Sequence, residues 1–270
     1  MNLNILSIIS YLMPLTIGLL GAVSLLSNRH RGFSRNAMSF VILATSYKGL
    51  DDLIGYLGLS NLQIISYFFS IIALFSVAPL LYKYFQSLLQ ESYIFTFKDM
   101  KHFIVSFVLL GLTLLLALTV SKAELLHVLN NRFDEGRDFY GITALIFIYI
   151  IGYPLLIIQW ILYFAFINKL IHNQKKRYGK FYGSYERRNE QLIRRVFFAL
   201  TGVFIISFLM LFFQISQNLI IILSNIFVAI LIGVAINAGH EQVDMKRYRM
   251  YKLNSHEEEI EQGELNQFSD

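Results

Sequence analysis

Three ionisable residues stand close together inside a long apolar stretch of the chain. Lys48, Asp51 and Asp52 fall within a run from Met38 to Gly58 that is otherwise mostly apolar. On a helix, a lysine lies near the residues three and four positions later, so the Lys48 ammonium can meet either carboxylate. Asp51 and Asp52 are about 100° apart around a helix, so one carboxylate is left over. That carboxylate must stay protonated, find another Lys or Arg, or bind a cation.

Two interpretations of this cluster remain open. A lone charge near the bilayer centre costs at least about 2.5 kcal/mol, so all three groups are expected to face a bundle interior or water. The first interpretation is a structural ion pair beside a wetted outer vestibule, and the second is a ligand, ion or proton site. If the second holds, Asp51→Asn or Asp52→Asn abolishes the response while the protein still reaches the membrane.

The remaining residues argue against catalysis. The chain has no cysteine, so it has no disulfide, thiolate metal site or thiol nucleophile. Its six histidines are scattered without the spacing of metal ligands. The sequence also lacks a zinc-protease motif, a serine-hydrolase motif, a P-loop and a dinucleotide fingerprint. We therefore predict that the protein is not an enzyme and uses no metal or cofactor.

The elements that must position the cluster are membrane helices. Apolar residues make up 56% of the chain, charged residues only 15%, and the mean hydropathy is +0.54. These values are typical of an integral membrane protein. A bilayer-spanning helix needs about 20 mostly apolar residues, and seven runs qualify. The sequence thus predicts an all-α, seven-helix membrane domain over residues 1–239, with spans near 5–26, 38–58, 62–82, 102–120, 140–167, 196–213 and 219–238.

Lysine and arginine alternate from one gap between runs to the next. Assigning alternate gaps to the cytoplasm places 19 basic residues inside and 3 outside, with Lys48 left within a span. The positive-inside rule then puts the N-terminus outside and the C-terminus inside. The first run ends without a small-residue cleavage site, so we expect a retained helix. We therefore expect a multi-pass protein of the cytoplasmic (inner) membrane.

The connections between the runs limit where partners can bind. The outer connections are short except for Ser121 to Phe139, so an extracellular stimulus must be small, a lipid, or another membrane protein. The inner segment from Lys169 to Arg195 is long and basic. It is either an amphipathic surface on anionic lipid or a docking site for a cytoplasmic protein. The candidate contact residues in this segment are Lys175, Lys176, Arg177, Arg187 and Arg188.

Each of the three prolines lies within a predicted span: Pro14, Pro79 and Pro154. A proline frees the carbonyl four residues earlier, which kinks the helix unless a neighbour supplies a donor. The freed carbonyls are those of Ser10, Phe75 and Ile150. These prolines are hinge candidates, although prolines in membrane helices also serve packing alone.

Contacts between helices are predicted elsewhere. Small residues four positions apart in the last run indicate close packing on a neighbour, namely Ala229 with Gly233 and Ala235 with Gly239. Four further polar or amphipathic residues lie within spans, and interhelical hydrogen bonding explains each better than a binding site does: Tyr153, Gln159, Trp160 and Asn225.

The sequence lacks the residues that two well-known families of seven-helix proteins require. A microbial rhodopsin needs a Schiff-base lysine in its last span, and residues 219–238 contain none. A G-protein-coupled receptor carries an Asp-Arg-Tyr type triplet after its third span, whereas this chain continues there with Leu81-Tyr82-Lys83-Tyr84.

A different resemblance appears at the inner end of the third run. The chain reads Pro79-Leu80-Leu81-Tyr82-x-Tyr84-x-x-Ser87-Leu88 and then Asp99-x-x-His102-Phe103. This pattern resembles the multi-helix membrane region of membrane-bound AraC-type transcription regulators of Bacteroides-type bacteria. The closely similar part covers about 25 residues. Asp99 suits a helix start, where a carboxylate favours the positive end of the dipole.

The resemblance implies a membrane sensor coupled to a helix-turn-helix output domain. Only Gly239 to Asp270 follow the last run, which is too short for such a domain. We expect residues 240–270 to form a partly disordered cytoplasmic tail, and we predict no direct binding to nucleic acid by this chain.

Together these features predict a sensor or receptor-like membrane protein. It would relay an outside or in-membrane signal to a cytoplasmic, transcriptional partner by a shift between two helix packings. The alternatives are a small transporter or channel component that uses Lys48, Asp51 and Asp52, and an assembly subunit without its own ligand. The expected partners are the lipid bilayer, a cytoplasmic protein and further copies of the chain.

Overall fold

The computed structural model describes residues 2–27, 33–90, 93–119, 152–178, 193–199 and 217–241, with single helical positions at 187, 190, 191 and 202. Within these ranges the chain is all-helical and contains no strand. The elements are α1 (Asn2–Ser27), α2 (Phe33–Tyr56), α3 (Ser60–Leu89), a 3-10 helix (Phe97–Phe103), α4 (Ile104–Thr119), α5 (Tyr153–Tyr178) and α6 (Gln217–Glu241). α5 overlaps the predicted fifth span, and α6 covers the predicted seventh.

Four of the described helices are long and apolar enough to cross a membrane, which agrees with the prediction of a helical membrane protein. The spanning segments are Ile5–Ser27, Ser60–Leu89, Pro154–Lys176 and Ile222–His240. α2 is long enough, but Arg35 and the Lys48 cluster make it less apolar. α4 is apolar but has only 16 residues. Most of the predicted sixth span and of the tail lie outside the described residues, so the count of seven stays a prediction.

α1, α2 and α3 pack side by side in chain order, and α6 returns to the beginning of this row. α1 contacts α2 and α6, α2 also contacts α3 and α6, and α3 contacts α4 and α5. The connection between α2 and α3 has only three residues and turns at Gly58, whose φ of +65° is in the left-handed region that glycine adopts without strain. This connection is the tight hairpin that the short interval between runs predicts.

Two glycines allow backbones to approach closely. A Cβ added at Gly49 would lie 2.6 Å from the Tyr11 carbonyl oxygen, so α1 and α2 touch there. A Cβ at Gly239 would lie 2.9 Å from Leu25 Cδ1, and Ala229 and Ala235 are also buried. The predicted close packing of the last span is therefore confirmed, and its partner is α1 together with α2. Gly233 is exposed and takes no part in it.

The apolar core is concentrated in one half of the bundle. It lies in the halves of the helices that charge asymmetry predicts to be cytoplasmic. The other half, around the ends Asn2 and Tyr56, buries several polar side chains, among them Ser7, Ser10, Ser66 and Asn225. We call the two ends inner and outer after the predicted topology. The main core comprises residues from α1 (Ala22, Leu25), α2 (Ala37, Met38, Val41, Ile42), α3 (Val77, Leu81, Tyr84, Phe85, Leu88, Leu89), α5 (Ile167, Leu170, Ile171), the segment 193–197 (Ile193, Val196, Phe197) and α6 (Val228, Leu231, Ile232, Ala235, Ala238).

Two helices extend beyond their predicted inner ends. The third run was expected to end at Tyr82, but α3 continues to Leu89. The fifth run was expected to end at Ile167, but α5 continues to Tyr178. Buried residues on these extensions, such as Phe85 and Ile171, belong to the main core. Packing against neighbouring helices therefore stabilises turns that hydropathy alone assigns to a loop.

Candidate functional site

The Lys48, Asp51 and Asp52 side chains of α2 form a polar cluster with residues of α3 and α6. We refer to these three residues, with Ser66 and Asn225, as the outer cluster. Lys48 Nζ donates to Asp52 Oδ1. Of the two pairings that the sequence allows, the structure has the one between residues four positions apart. The Asp52 side chain is only 7% exposed, whereas that of Lys48 is 41% exposed. The carboxylate is thus held inside the bundle and the lysine reaches it from the rim.

Asp51 faces α3. The Ser66 hydroxyl donates to Asp51 Oδ1 at 2.7 Å, and the Tyr47 hydroxyl donates to Ser66 Oγ at 3.2 Å. The Ser66 hydroxyl is neutral, so it stabilises the Asp51 carboxylate without balancing its charge. The sequence predicts that one of the two carboxylates lacks Lys48 as a partner. In the structure this carboxylate is Asp51.

Asp52 faces α6. Asn225 Nδ2 donates to Asp52 Oδ2 at 3.2 Å, and the Asn225 side chain is 0% exposed. Asn225 Oδ1 is buried and accepts no hydrogen bond from the described residues. The prediction of an interhelical hydrogen bond at Asn225 is confirmed, and its partner is the charged cluster itself.

α1 closes the cluster on its remaining side. Tyr11 is buried, and its ring lies 5.4 Å from that of Tyr56, measured between centroids. The backbone at Tyr11 and the ring of Pro14 both touch α2 at Gly49, directly beside Lys48. The kink candidate Pro14 is therefore packed against the helix that carries the charges.

Pro79 is held by a side chain from a neighbouring helix. Gln159 Nε2 of α5 donates to the Phe75 carbonyl oxygen at 2.9 Å, in a buried contact. This is the carbonyl that Pro79 deprives of its helical donor, so α5 supplies the missing hydrogen bond. The interhelical hydrogen bond predicted for Gln159 is confirmed. Pro154 is the second residue of α5, and its freed carbonyl at Ile150 lies outside the described residues.

The inner end carries a second polar arrangement that sequence reasoning did not find. Lys83 of α3 is only 2% exposed and pairs with Asp99 of the 3-10 helix, 16 residues later. Its Nζ also donates to Gln86 Oε1 at 3.0 Å and lies 5.2 Å from the Tyr82 ring centroid. Partial burial alone would raise the pKa of Asp99, but the hydrogen bonds from Lys83 and Thr96 outweigh it and lower the pKa to about 2.

The 3-10 helix places Asp99 by a reciprocal cap. The backbone N–H and the hydroxyl of Thr96 donate to Asp99 Oδ2 at 2.8 and 2.9 Å, and the Asp99 N–H donates to the Thr96 carbonyl at 2.9 Å. The expected role of Asp99 at a helix start is confirmed, with the start at Phe97 rather than at His102. The structure therefore brings together the two halves of the sequence pattern, Pro79 to Leu88 and Asp99 to Phe103.

His102 joins the inner end to α5. Its Nδ1 lies 2.9 Å from the Tyr163 hydroxyl, and that hydroxyl donates to the His102 carbonyl at 3.2 Å. Burial, followed by the nearby charges of Lys83 and Lys101, lowers the pKa of His102 to about 4. The imidazole is therefore neutral near pH 7.

The basic contact candidates fall into three groups. Lys175 Nζ pairs with Glu190 Oε1 at 2.9 Å, and Arg194 pairs with the same carboxylate at 3.0 Å. Lys176 and Arg187 are exposed. The side chain of Arg177 and the whole of Arg188 lie outside the described residues, as does most of the basic segment between α5 and residue 190.

Sequence reasoning singled out the three charged residues of the outer cluster and missed Ser66. Ser66 is a small hydroxyl residue that lies six positions into α3, among apolar neighbours. Such a residue shows its role only once the register of the α2–α3 hairpin is known.

The chain matches no protein-family model, no curated protein and no solved structure. The similarity to the membrane region of AraC-type regulators therefore stays a prediction from the residues quoted for it.

Proposed function

We propose that the chain is a seven-helix sensor or receptor-like protein of the cytoplasmic membrane, with its N-terminus outside. It relays an outside or in-membrane signal from the outer cluster to a cytoplasmic partner. One observation carries the proposal. α2, α3 and α6 each contribute a side chain to the outer cluster, and the same three helices form much of the inner core.

The outer and inner halves of the bundle are held together in different ways. Polar contacts in the outer cluster are few and specific, so a change in charge there alters which helices are joined. The inner halves are packed together, and packed interfaces switch between discrete arrangements rather than deforming smoothly. A ligand that favours one arrangement shifts the population at the inner face.

The inner face offers surfaces that such a shift would move. The extension of α3 carries Lys83, which pairs with Asp99, and the extension of α5 carries the exposed Lys176. The resemblance to AraC-type regulators supports a transcription regulator as the partner.

The absence of cysteine allows a direct test. Lys98→Cys with Lys176→Cys places two spin labels at the inner end of an otherwise cysteine-free chain. We expect the distance distribution between the labels in lipid nanodiscs to change when Asp51→Asn or Asp52→Asn is added. Thr16→Ala serves as the control, because this exposed hydroxyl donates to carbonyls within α1, and it is expected to leave the distribution unchanged.

A second measurement separates sensing from transport. An unchanged label distribution in both aspartate variants, while the proteins remain folded, would refute the relay. Selective flux of a cation through proteoliposomes that contain only this chain would instead support the transporter alternative. Labelling of Tyr56→Cys, but not of Lys98→Cys, by an impermeant maleimide on intact cells is expected if the N-terminus is outside.

A further inference from the structure

The outer cluster has an unsatisfied acceptor. Because an ionised carboxylate only accepts hydrogen bonds, the amide of Asn225 must turn Nδ2 towards Asp52. Its Oδ1, on the same amide group, is left buried and accepts no hydrogen bond from the described residues. A buried oxygen without a donor is destabilising, and either a donor or a cation would relieve it.

The outer cluster also lacks one positive charge. Lys48 supplies one ammonium group against the two carboxylates of Asp51 and Asp52. The hydroxyl of Ser66 stabilises Asp51 but carries no charge. In a low-dielectric surrounding, an unbalanced carboxylate attracts a single positive charge strongly.

Lys48 can serve either carboxylate. It lies three residues before Asp51 and four before Asp52, and both spacings bring side chains together on a helix. In the structure it pairs with Asp52. Its side chain is partly exposed, so tight packing does not fix it in that place.

We propose that the outer cluster binds one hard monovalent cation, with the size and chemistry of sodium, between Asp52 and Asn225 Oδ1. Lys48 then transfers from Asp52 to Asp51. After the exchange each carboxylate has one positive partner, and Asn225 Oδ1 has a ligand. This step rests on the proposed sensor, because it makes the cation the stimulus.

The donor set favours this class of ion. Its carboxylate, amide and hydroxyl groups offer oxygen only, which suits hard cations and not soft ones. No group of three or more His, Asp or Glu side chains converges in the described part of the chain. The outer cluster has two negative charges and Lys48 balances one of them, so a single positive charge completes the balance and the ion is monovalent. A proton on Asp51 would balance the charge but would leave Asn225 Oδ1 without a partner.

The exchange would act on two helices at once. Asp52 joins α2 to α6 through Asn225, and Asp51 joins α2 to α3 through Ser66. A cation strengthens the first connection. Lys48 at Asp51 competes with Ser66 and weakens the second. The cation thereby changes the balance between helices that continue into the inner core.

The test uses the purified full chain and sodium itself. Thermal unfolding is followed by the fluorescence of Trp160, the single tryptophan, in NaCl and in N-methyl-D-glucamine chloride at equal ionic strength. We expect a saturable rise in Tm with sodium only, because a ligand that binds the folded state stabilises it. Asn225→Ala should weaken the apparent sodium affinity about tenfold through loss of one charged contact. The matched control is Asn237→Ala, on the same helix near its inner end.

The outcomes separate this proposal from the proposed function. Equal Tm values of the wild-type chain in the two salts would overturn the cation site without any variant. An unchanged sodium response in Asn225→Ala, or a response that follows pH alone, would also overturn it. If sodium raises Tm but does not change the distance between labels at positions 98 and 176, the cation site stands and the sensor falls. If the aspartate variants change that distance without any sodium effect, the sensor stands and the cation is wrong.

Discussion

Removing the Asp99 carboxylate should destabilise the inner end more than removing a charge that is exposed to solvent. Lys83 is 2% exposed, and its charge is balanced by Asp99. Asp99→Asn keeps the shape of the side chain and its place in the cap but leaves a buried ammonium without a counterion. Breaking a buried ion pair from one side typically costs about 3 to 5 kcal/mol.

The lowered pKa of Asp99 sets an upper value on the same interaction, because the carboxyl is partly exposed to solvent and Thr96 contributes to the shift together with Lys83. A pKa lowered from 3.8 to about 2 corresponds to roughly 2 kcal/mol of preference for the charged form in the folded protein. Because the folded pKa lies below the unfolded one, this contribution is complete above about pH 4 and is lost as the pH falls towards 2. Asp99→Asn should therefore cost about 2 to 4 kcal/mol at pH 7.

The assay is a double-mutant cycle of Asp99→Asn, Lys83→Met and the double variant, measured by SDS titration in mixed micelles. We expect the double variant to be more stable than Asp99→Asn alone, because it removes the buried charge and keeps most of the side-chain volume. Lys176→Met, at an exposed lysine, is the control and should change stability by less than about 0.5 kcal/mol. The reasoning is refuted if Asp99→Asn costs no more than this control, or if the two single effects simply add.

Three further predictions concern separate contacts. Gln159→Leu should lower stability by about 1 to 2 kcal/mol by removing the donor to the Phe75 carbonyl, and adding Pro79→Ala, which restores a helical donor, should recover part of that loss in the same titration. Gly49→Ala should cost about 1 to 3 kcal/mol, because the new Cβ meets a backbone oxygen at 2.6 Å; a thermal melt with unchanged Tm would contradict this. The pKa of His102 is about 4 in the folded chain against 6.5 unfolded, so its contribution is complete above about pH 6.5 and is lost as the pH falls towards 4; Tm between pH 4 and 6.5 should depend less on pH in His102→Gln.

Features that depend on local spacing were predictable from the sequence. The Lys48 pairing and the leftover carboxylate follow from helical geometry over five positions. The Phe75 carbonyl follows from Pro79, and the tight hairpin follows from the short interval between two apolar runs. In the first two cases the residues concerned lie within about one turn of the same helix. In the third, a connection of three residues allows the two helices only an antiparallel arrangement.

Features that depend on two distant segments were not predictable in the same way. Lys83 follows the predicted end of the third span at Tyr82, so the sequence assigns it to a loop, and its partner Asp99 lies 16 residues later in a different helix. Lys175 is predicted to contact lipid or a partner, whereas in the structure it pairs with Glu190, 15 residues later. Asn225 gave no sequence signal of its link to Asp52, which lies 173 positions earlier.

The three-residue turn between α2 and α3 bears on how the chain is made. A helix with three charges in its outer half enters a bilayer poorly alone, but a turn this short brings α3 in with it as a hairpin. Asp51 then meets Ser66 as soon as α3 has been synthesised, whereas Asn225 emerges from the ribosome more than a hundred residues later. During that interval Lys48 is the partner that Asp52 has from its own helix. The ion pair that a ligand would later open thus first serves to bring α2 into the membrane.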